Sequence, residues 1–160
     1  MKELDFIKTI NNILKNNYIG DDCAHLPDLN IVITQDNFIE DVHFKKNWAT
    51  PYQIGYKAAA VNISDILASG AKPAYITVGL SVPNVSNEFI SELYKGIQAG
   101  AYGAKVIGGD ITRADKIFIS ITAIGKTSGR NISSRSNAKP GYVVITNDIH
   151  GQSKKGYEEL

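Results

Sequence analysis

Four aspartates recur along this chain in Gly-rich or apolar surroundings, where an isolated carboxylate is costly. They are Asp22, Asp36, Asp65 and Asp110. An ionised carboxylate is expensive to remove from water unless something positive accompanies it. Carboxylates at the ends of apolar segments therefore suggest a shared cation, and hard oxygen ligands of this kind suit Mg²⁺ held against a phosphate-bearing substrate. The pattern predicts a fold that gathers these side chains into a metal–nucleotide site.

Composition limits the remaining classes of protein. The chain has 160 residues, of which 43% are hydrophobic, and this fits one domain with a sizeable core. Lys and Arg total 17 against 16 Asp and Glu. The net charge thus gives no reason to expect a nucleic acid or an anionic membrane as partner. Cys23 is the only cysteine, so no internal disulfide is possible and a cytoplasmic location is expected. No apolar run is long enough to span a bilayer.

The hydrophobic periodicity predicts helices alternating with strands. The expected helices cover residues 3–16, 50–69 and 87–98. The expected strands cover residues 30–34, 73–82, 105–107, 116–125 and 142–146. Interleaved elements of this kind are typical of α+β or α/β domains. The strand at 105–107 is expected to end in a turn at Gly108-Gly109-Asp110.

Two segments contain phosphate-binding patterns of unequal value. Ser120 to Thr127 resembles a Walker motif but lies within an alternating strand and lacks the opening glycine, so we reject it. The glycine pair before Asp110 would let the backbone approach a phosphate, and the aspartate could hold the accompanying cation. A tight turn capped by an aspartate explains the same residues about as well.

Several polar residues have both a functional and an ordinary interpretation. Asp65 is expected within a helix, where it is either exposed or directed at a cleft. Adjacent carboxylates at Asp21 and Asp22 either cap a loop or flank a cation. His43 follows Asp36 closely enough to reach a substrate on the same cation. Arg135 is either a bidentate phosphate clamp or a solvated side chain. Cys23 and the three histidines fit no compact zinc pattern.

Seven stretches in this order resemble the thiamine-monophosphate kinase family, within the superfamily of aminoimidazole ribonucleotide synthetase and selenophosphate synthetase. They are Gly20-Asp21-Asp22-Cys23-Ala24, Thr34-Gln35-Asp36, Val42-His43-Phe44, Tyr56 to Asp65, Ser69-Gly70-Ala71-Lys72-Pro73, Gly108-Gly109-Asp110-Ile111-Thr112-Arg113 and Arg135 to Gly141. Each stretch is weak alone, but the ordered set across nearly the whole chain is specific. Gln35, Asn137 and Tyr142 depart from the family pattern.

The resemblance implies ATP-dependent phosphorylation of thiamine monophosphate to thiamine diphosphate, by direct in-line transfer with several Mg²⁺ ions and no enzyme nucleophile. The implied metal ligands are Asp22, Thr34, Gln35, Asp36, Asp65 and Asp110. His43 would contact the thiamine phosphate. The implied ATP-binding residues are Tyr94, Gly109, Asp110 and Arg135. The related hydrogenase-maturation ATPases, and a non-catalytic dimerisation or nucleotide-binding module, remain alternatives.

The resemblance also implies the architecture. We expect an α+β domain whose four-stranded mixed or antiparallel sheet has helices on one face and pairs with a second copy into a barrel across a homodimer. Residues 1–146 would form the N-terminal ATP- and Mg²⁺-binding synthetase-like domain. Residues 147–160 would be the truncated start of a C-terminal domain that the family has and this sequence lacks.

Overall fold

The computed structural model describes residues 2–145 and has an α+β architecture. Its helices are α1 (Glu3–Leu14), α2 (Pro51–Ala68) and α3 (Asn87–Gly100). Its strands are β1 (Ala24–Leu26), β2 (Ile31–Ile39), β3 (Lys72–Val82), β4 (Lys105–Arg113) and β5 (Phe118–Lys126). None of the helices in this described part combines the length and apolar character needed to cross a membrane.

The strands form one mixed sheet with the order β1-β2-β5-β3-β4. All neighbouring pairs are antiparallel except β3 and β4, which run parallel. The prediction of four strands is corrected to five. The additional strand is β1, a three-residue edge strand that pairs only with the start of β2. It was missed because so short a segment carries no measurable alternation.

Three predicted strands differ from the structure. The strand expected to end at residue 34 continues to Ile39 as β2, and it thereby contains Asp36. The strand expected to stop at residue 107 continues through Gly108-Gly109-Asp110 to Arg113, with a register shift opposite Ile76 and Thr77. The segment 142–145 forms no strand, and its apolar side chains are exposed, Val144 by 95%. Thr146, the end of that predicted strand, lies outside the described residues.

Helix α2 begins where the sequence predicted. The Thr50 side chain accepts from the Gln53 backbone N–H, and the Gln53 side chain accepts from the Thr50 N–H, which completes a capping box. Pro51 occupies the first turn and Ser69 ends the helix. The buried face of α2, from Ile54 to Ile66, packs against one face of the sheet, and the helix thereby delivers Asp65 to that face.

Helix α3 packs along α2 with very close backbone contact. A Cβ atom at Gly96 would lie 1.9 Å from the Tyr52 carbonyl oxygen, and one at Gly55 would lie 2.1 Å from the Leu93 carbonyl oxygen. Both positions therefore accept only glycine at this interhelical separation. The contact leaves α2 little freedom to move relative to the rest of the core.

Gly96→Ala should destabilise the fold although alanine normally favours a helix, because the added methyl group would overlap the Tyr52 backbone. We expect a loss of roughly 3 kcal/mol in the free energy of unfolding, measured by urea denaturation. Gly79→Ala is the matched control. Its nearest neighbour would be the Ser120 Cβ at 3.6 Å, and its stability should stay within about 0.5 kcal/mol of the unsubstituted chain. Equal effects of the two substitutions would contradict this packing.

Candidate metal–nucleotide site

Strand β2 and helix α2 meet along a polar seam that contains three of the predicted site residues. The Thr34 hydroxyl donates to Asp65 Oδ2 at 2.9 Å. Two residues along β2, the Asp36 backbone N–H donates to Asn62 Oδ1 at 2.9 Å. Thr34 is buried, whereas Asp36 and Asp65 are half-buried. The two carboxylates are thus carried by elements that are hydrogen-bonded to each other.

The loop before β1 adds Asp21 and Asp22 to this region. The segment that follows β5 returns to this loop, where the Ser134 hydroxyl and the Arg135 backbone N–H both donate to Asp21 Oδ2. The Arg135 guanidinium forms an ion pair with Asp22. The Ser134 hydrogen bond is the main reason that the pKa of Asp21 is lowered. Arg135 therefore supplies positive charge to the acidic loop.

Asp65 is the aspartate of the seam whose ionised form is disfavoured by its surroundings. Burial raises its pKa above the ordinary value of 3.8, and the charges of Asp36 and Asp22 raise it further. The hydrogen bond from Thr34 and the charge of Arg135 oppose this shift. A site that disfavours the ionised form of its own carboxylate is one that an added cation would stabilise. The donors are hard oxygens, and this set suits Mg²⁺.

Asp110 does not join the other three aspartates within one chain. It lies in register with Gly79 of β3, which is opposite Ser120 of β5, which in turn is opposite Asn37 of β2. Residues in register share a face of the sheet, so Asp110 lies on the face opposite Asp36, with strands β5 and β3 between them. Its carboxylate accepts a hydrogen bond from Thr112.

Gly109 has a packing reason to be glycine. A Cβ atom there would lie 1.9 Å from the Val78 carbonyl oxygen, so β4 could not approach β3 with a side chain at this position. The assignment of Gly109 to ATP binding stays a prediction. Within residues 2–145, no three His, Cys, Asp or Glu side chains are close enough together to hold a metal ion.

The predicted ligands Thr34 and Gln35 have side chains that are already engaged. The Thr34 hydroxyl is used on Asp65. Gln35 lies on the opposite face, where its amide donates to Ser120 and accepts from Thr122. Backbone carbonyl oxygens are consequently the atoms through which these two residues could reach a metal.

His43 lies near the C-terminal end of β2, and Tyr94 lies on α3. The His43 ring stacks on Phe38, and its Nδ1 accepts the Ile39 backbone N–H at 3.0 Å. Tyr94 is half-buried on α3, and burial raises its pKa. It lines a cavity of about 720 Å³ with Lys95 and Lys105, and none of the four aspartates lines that cavity.

A second cavity adjoins the acidic loop. It measures about 400 Å³ and is lined by residues that include Asp21, His25, Ser134 and Arg135. Sequence reasoning did not single out Ser134 or Asn62 as site residues. Asn62 carried the same signal as Asp65, a polar side chain among apolar neighbours in a helix. Ser134 carried none, because its contact with Asp21 joins residues far apart in sequence.

The fold and the seam define an α+β domain with hard oxygen donors gathered between one helix and one strand. Residues 20–127 match the family described as AIR synthase related protein, N-terminal domain. The chain belongs to this family, and the resemblance stated from its motifs is confirmed.

Individual relatives agree with that placement. The thiamine-monophosphate kinase of Bacillus subtilis is 38% identical, over 100% of this chain and 53% of its own length. The structure described as AaThiL complexed with AMPPCP and TMP superposes with a TM-score of 0.80 at 30% identity, covering 86% of this chain and 45% of that one. A HypE-HypF complex gives a TM-score of 0.69 at 28% identity, covering 84% and 46%. The chain spans about half the length of the curated relatives it matches.

Asp65→Asn should stabilise the chain in the absence of metal, because it removes a charge that the folded state disfavours while leaving an oxygen for Thr34. We expect the melting temperature to rise by a few degrees at pH 7. The folded-state pKa is raised, so ionisation costs stability above the ordinary aspartate pKa and nothing well below it. The gain should therefore vanish in acid.

Asp28→Asn, at an exposed carboxylate, is the control for Asp65→Asn and should show no such gain. Added Mg²⁺ should raise the melting temperature of the unsubstituted chain and of the control more than that of Asp65→Asn. A stability gain of Asp65→Asn that persisted in acid, or an undiminished response to Mg²⁺, would contradict the electrostatic account.

Proposed function

We propose that residues 1–146 are the nucleotide- and Mg²⁺-binding domain of a cytoplasmic kinase that converts thiamine monophosphate and ATP into thiamine diphosphate and ADP. Residues 147–160 would begin its C-terminal domain. The observation that carries this proposal is the β2–α2 seam, where Asp36 and Asp65 lie beside the acidic loop and Arg135. It is supported by the Bacillus subtilis kinase and by the AaThiL structure, which was solved with AMPPCP and TMP.

Mg²⁺ fits the seam on the chemistry of its donors. Asp22, Asp36 and Asp65 would hold the ions, with the carbonyl oxygens of Thr34 and Gln35 as further ligands. When bound, Mg²⁺ offsets the repulsion between two phosphate-bearing substrates and neutralises charge that develops during transfer. Asp110, Gly109 and Tyr94 lie apart from the seam within this chain, and we propose them as contacts of ATP.

The residues of this chain would contribute positioning and charge instead of a nucleophile. Arg135 would exchange its contact with Asp22 for phosphate oxygens of ATP, since a guanidinium is well suited to both anions. His43 accepts a backbone N–H at Nδ1, so its neutral ring carries the proton on Nε2. That N–H would donate to the phosphate of thiamine monophosphate, and the phosphoryl group would pass directly between the two substrates.

Pairing with a second copy would cover β4, the exposed edge strand of the described sheet. Strand β4 is exposed along its whole length, and its apolar residues include Ile107 and Ile111, with 56% and 63% of their surfaces accessible. An exposed strand with such side chains is a typical site of association. We propose a homodimer in which the two sheets form a barrel.

The similarity to the HypE-HypF complex supports one competing function, a hydrogenase-maturation type of ATPase. The two functions differ in their need for an acceptor. A thiamine-monophosphate kinase consumes ATP when thiamine monophosphate is present, whereas the ATPase would consume it without that compound. Product analysis in a chain extended by its C-terminal half would separate them.

Calorimetric titration of AMPPCP into the 160-residue chain tests the nucleotide site itself. We expect binding with Mg²⁺ and none with a chelator, because the aspartates repel an unaccompanied triphosphate. Asp36→Ala should weaken Mg²⁺-dependent binding by at least about tenfold while preserving the circular dichroism spectrum. Asp28→Ala, which removes an exposed carboxylate elsewhere, should leave the affinity unchanged. Binding that ignores Mg²⁺ or Asp36 would refute the proposed metal role.

A further inference from the structure

Asn62 is a buried polar residue whose orientation is fixed within its own helix. Its side chain is in α2, three residues before Asp65, and only 1% of the residue is exposed. The side-chain amide Nδ2 donates to the Ala58 carbonyl oxygen at 3.0 Å. This bond settles which end of the amide is the donor, and so it directs the Oδ1 acceptor away from Ala58.

The acceptor contacts the backbone of a predicted metal ligand. Asn62 Oδ1 accepts the Asp36 N–H at 2.9 Å. On the other side of β2, Asp36 lies opposite Ile121 of β5. Strand β1 pairs with β2 only as far as Ile33, so it provides no partner at Asp36. The helix therefore supplies the hydrogen bond that a neighbouring strand would otherwise make.

This contact has a companion. Thr34 on β2 donates to Asp65 on α2, and Asp36 on β2 donates to Asn62 on α2. Two residues along the strand match three residues along the helix, and these spacings keep both contacts on one face of each element. The pair of bonds sets the position of the Asp36 backbone against the Asp65 carboxylate.

We propose that Asn62 is a positioning residue for a divalent cation shared by Asp36 and Asp65. The inference rests on the proposed metal–nucleotide function. Asn62 touches neither metal nor substrate. It acts by holding the Asp36 backbone at the separation from α2 at which one ion can contact both carboxylates. Loss of this bond would leave both ligands present but misplaced.

Asn62→Ser separates this role from simple burial. A serine hydroxyl can still bond back to the Ala58 carbonyl one turn earlier, but it is too short to reach the Asp36 N–H. Asn62→Leu keeps the branched shape of the asparagine side chain and removes both bonds. Ile54→Ala is the control for lost stability. Ile54 is a buried residue of the same helix, and its apolar side chain makes no hydrogen bond to Thr34 or Asp36.

Two quantities should be measured on the 160-residue chain. The first is hydrogen exchange at the Asp36 amide, which reports the tether directly. The second is Mn²⁺ affinity in the presence of AMPPCP, followed by the electron paramagnetic resonance signal of free Mn²⁺. We expect Asn62→Ser and Asn62→Leu to speed exchange at Asp36 and to weaken Mn²⁺ binding about 10- to 100-fold. Ile54→Ala should lower the melting temperature and leave Mn²⁺ affinity within about twofold of the unsubstituted chain.

The other outcomes are distinguishable. Faster exchange at Asp36 with unchanged Mn²⁺ affinity would overturn the positioning role and leave the proposed function standing. Unchanged exchange in Asn62→Ser would overturn the tether itself. A loss of Mn²⁺ affinity in Ile54→Ala equal to that in Asn62→Ser would reduce the effect to stability and also overturn the inference. No Mn²⁺ binding by the unsubstituted chain would overturn the proposed function together with it.

Discussion

The carboxylate of Asp65 is held where both burial and neighbouring negative charge disfavour its ionised form. Opening the seam to water would relieve this cost for Asp65 but would break the contacts that join α2 to β2. Thr34 and Asn62 join α2 to β2 by hydrogen bonds. Helix α2 is also packed against α3, so tightly that a single methyl group would not fit at Gly96. The packed core therefore keeps like charges near one another, and the proposed cation would relieve their repulsion.

Arg135 offsets part of the negative charge of Asp21 and Asp22. Its guanidinium contacts Asp22, and its backbone N–H and the neighbouring Ser134 contact Asp21. The segment that carries these residues has little other structure, with one short 3-10 helix at Arg135–Asn137. A metal–nucleotide complex would offer the acidic loop a stronger cation and Arg135 a stronger anion. The proposed function thus assigns Arg135 a contact with phosphate in place of its ion pair with Asp22.

Much of the fold could be predicted from local sequence. Thr50-Pro51 predicted the start of α2, because a capping side chain and a proline in the first turn act within one turn of the helix. The alternation in β5 announced a strand with one buried face. The path of β4 could not be predicted, because a glycine pair suggests a turn locally while its real cause, the backbone of β3 beside Gly109, is remote in sequence. The apolar run at 142–145 also misled, since a strand needs a partner and none is present among the described residues.

In the candidate site too, some features could be predicted from local sequence and others depend on remote contacts. The charges of Asp22 and Asp36 both raise the pKa of Asp65, so these three aspartates influence one another. Their role as metal ligands stays a prediction, because no three such side chains among residues 2–145 are close enough to hold an ion. The distance of Asp110 from them was not predictable, because it depends on the strand order β2-β5-β3-β4. Asn62 was overlooked because its side chain accepts a hydrogen bond from the backbone N–H of Asp36, which lies 26 residues earlier in the chain. Motifs indicate which residue types a site needs, whereas the tertiary contacts decide which atoms are available.

Anomalous diffraction from crystals of the chain grown with Mn²⁺ and AMPPCP would show whether Asp36 and Asp65 share a divalent cation. We expect a Mn²⁺ peak within coordinating distance of carboxylate oxygens of both Asp36 and Asp65. We also expect Arg135 to have moved from Asp22 to the nucleotide phosphates. A nucleotide bound elsewhere with no peak at these two carboxylates would contradict it, and the seam would then be a feature of packing alone.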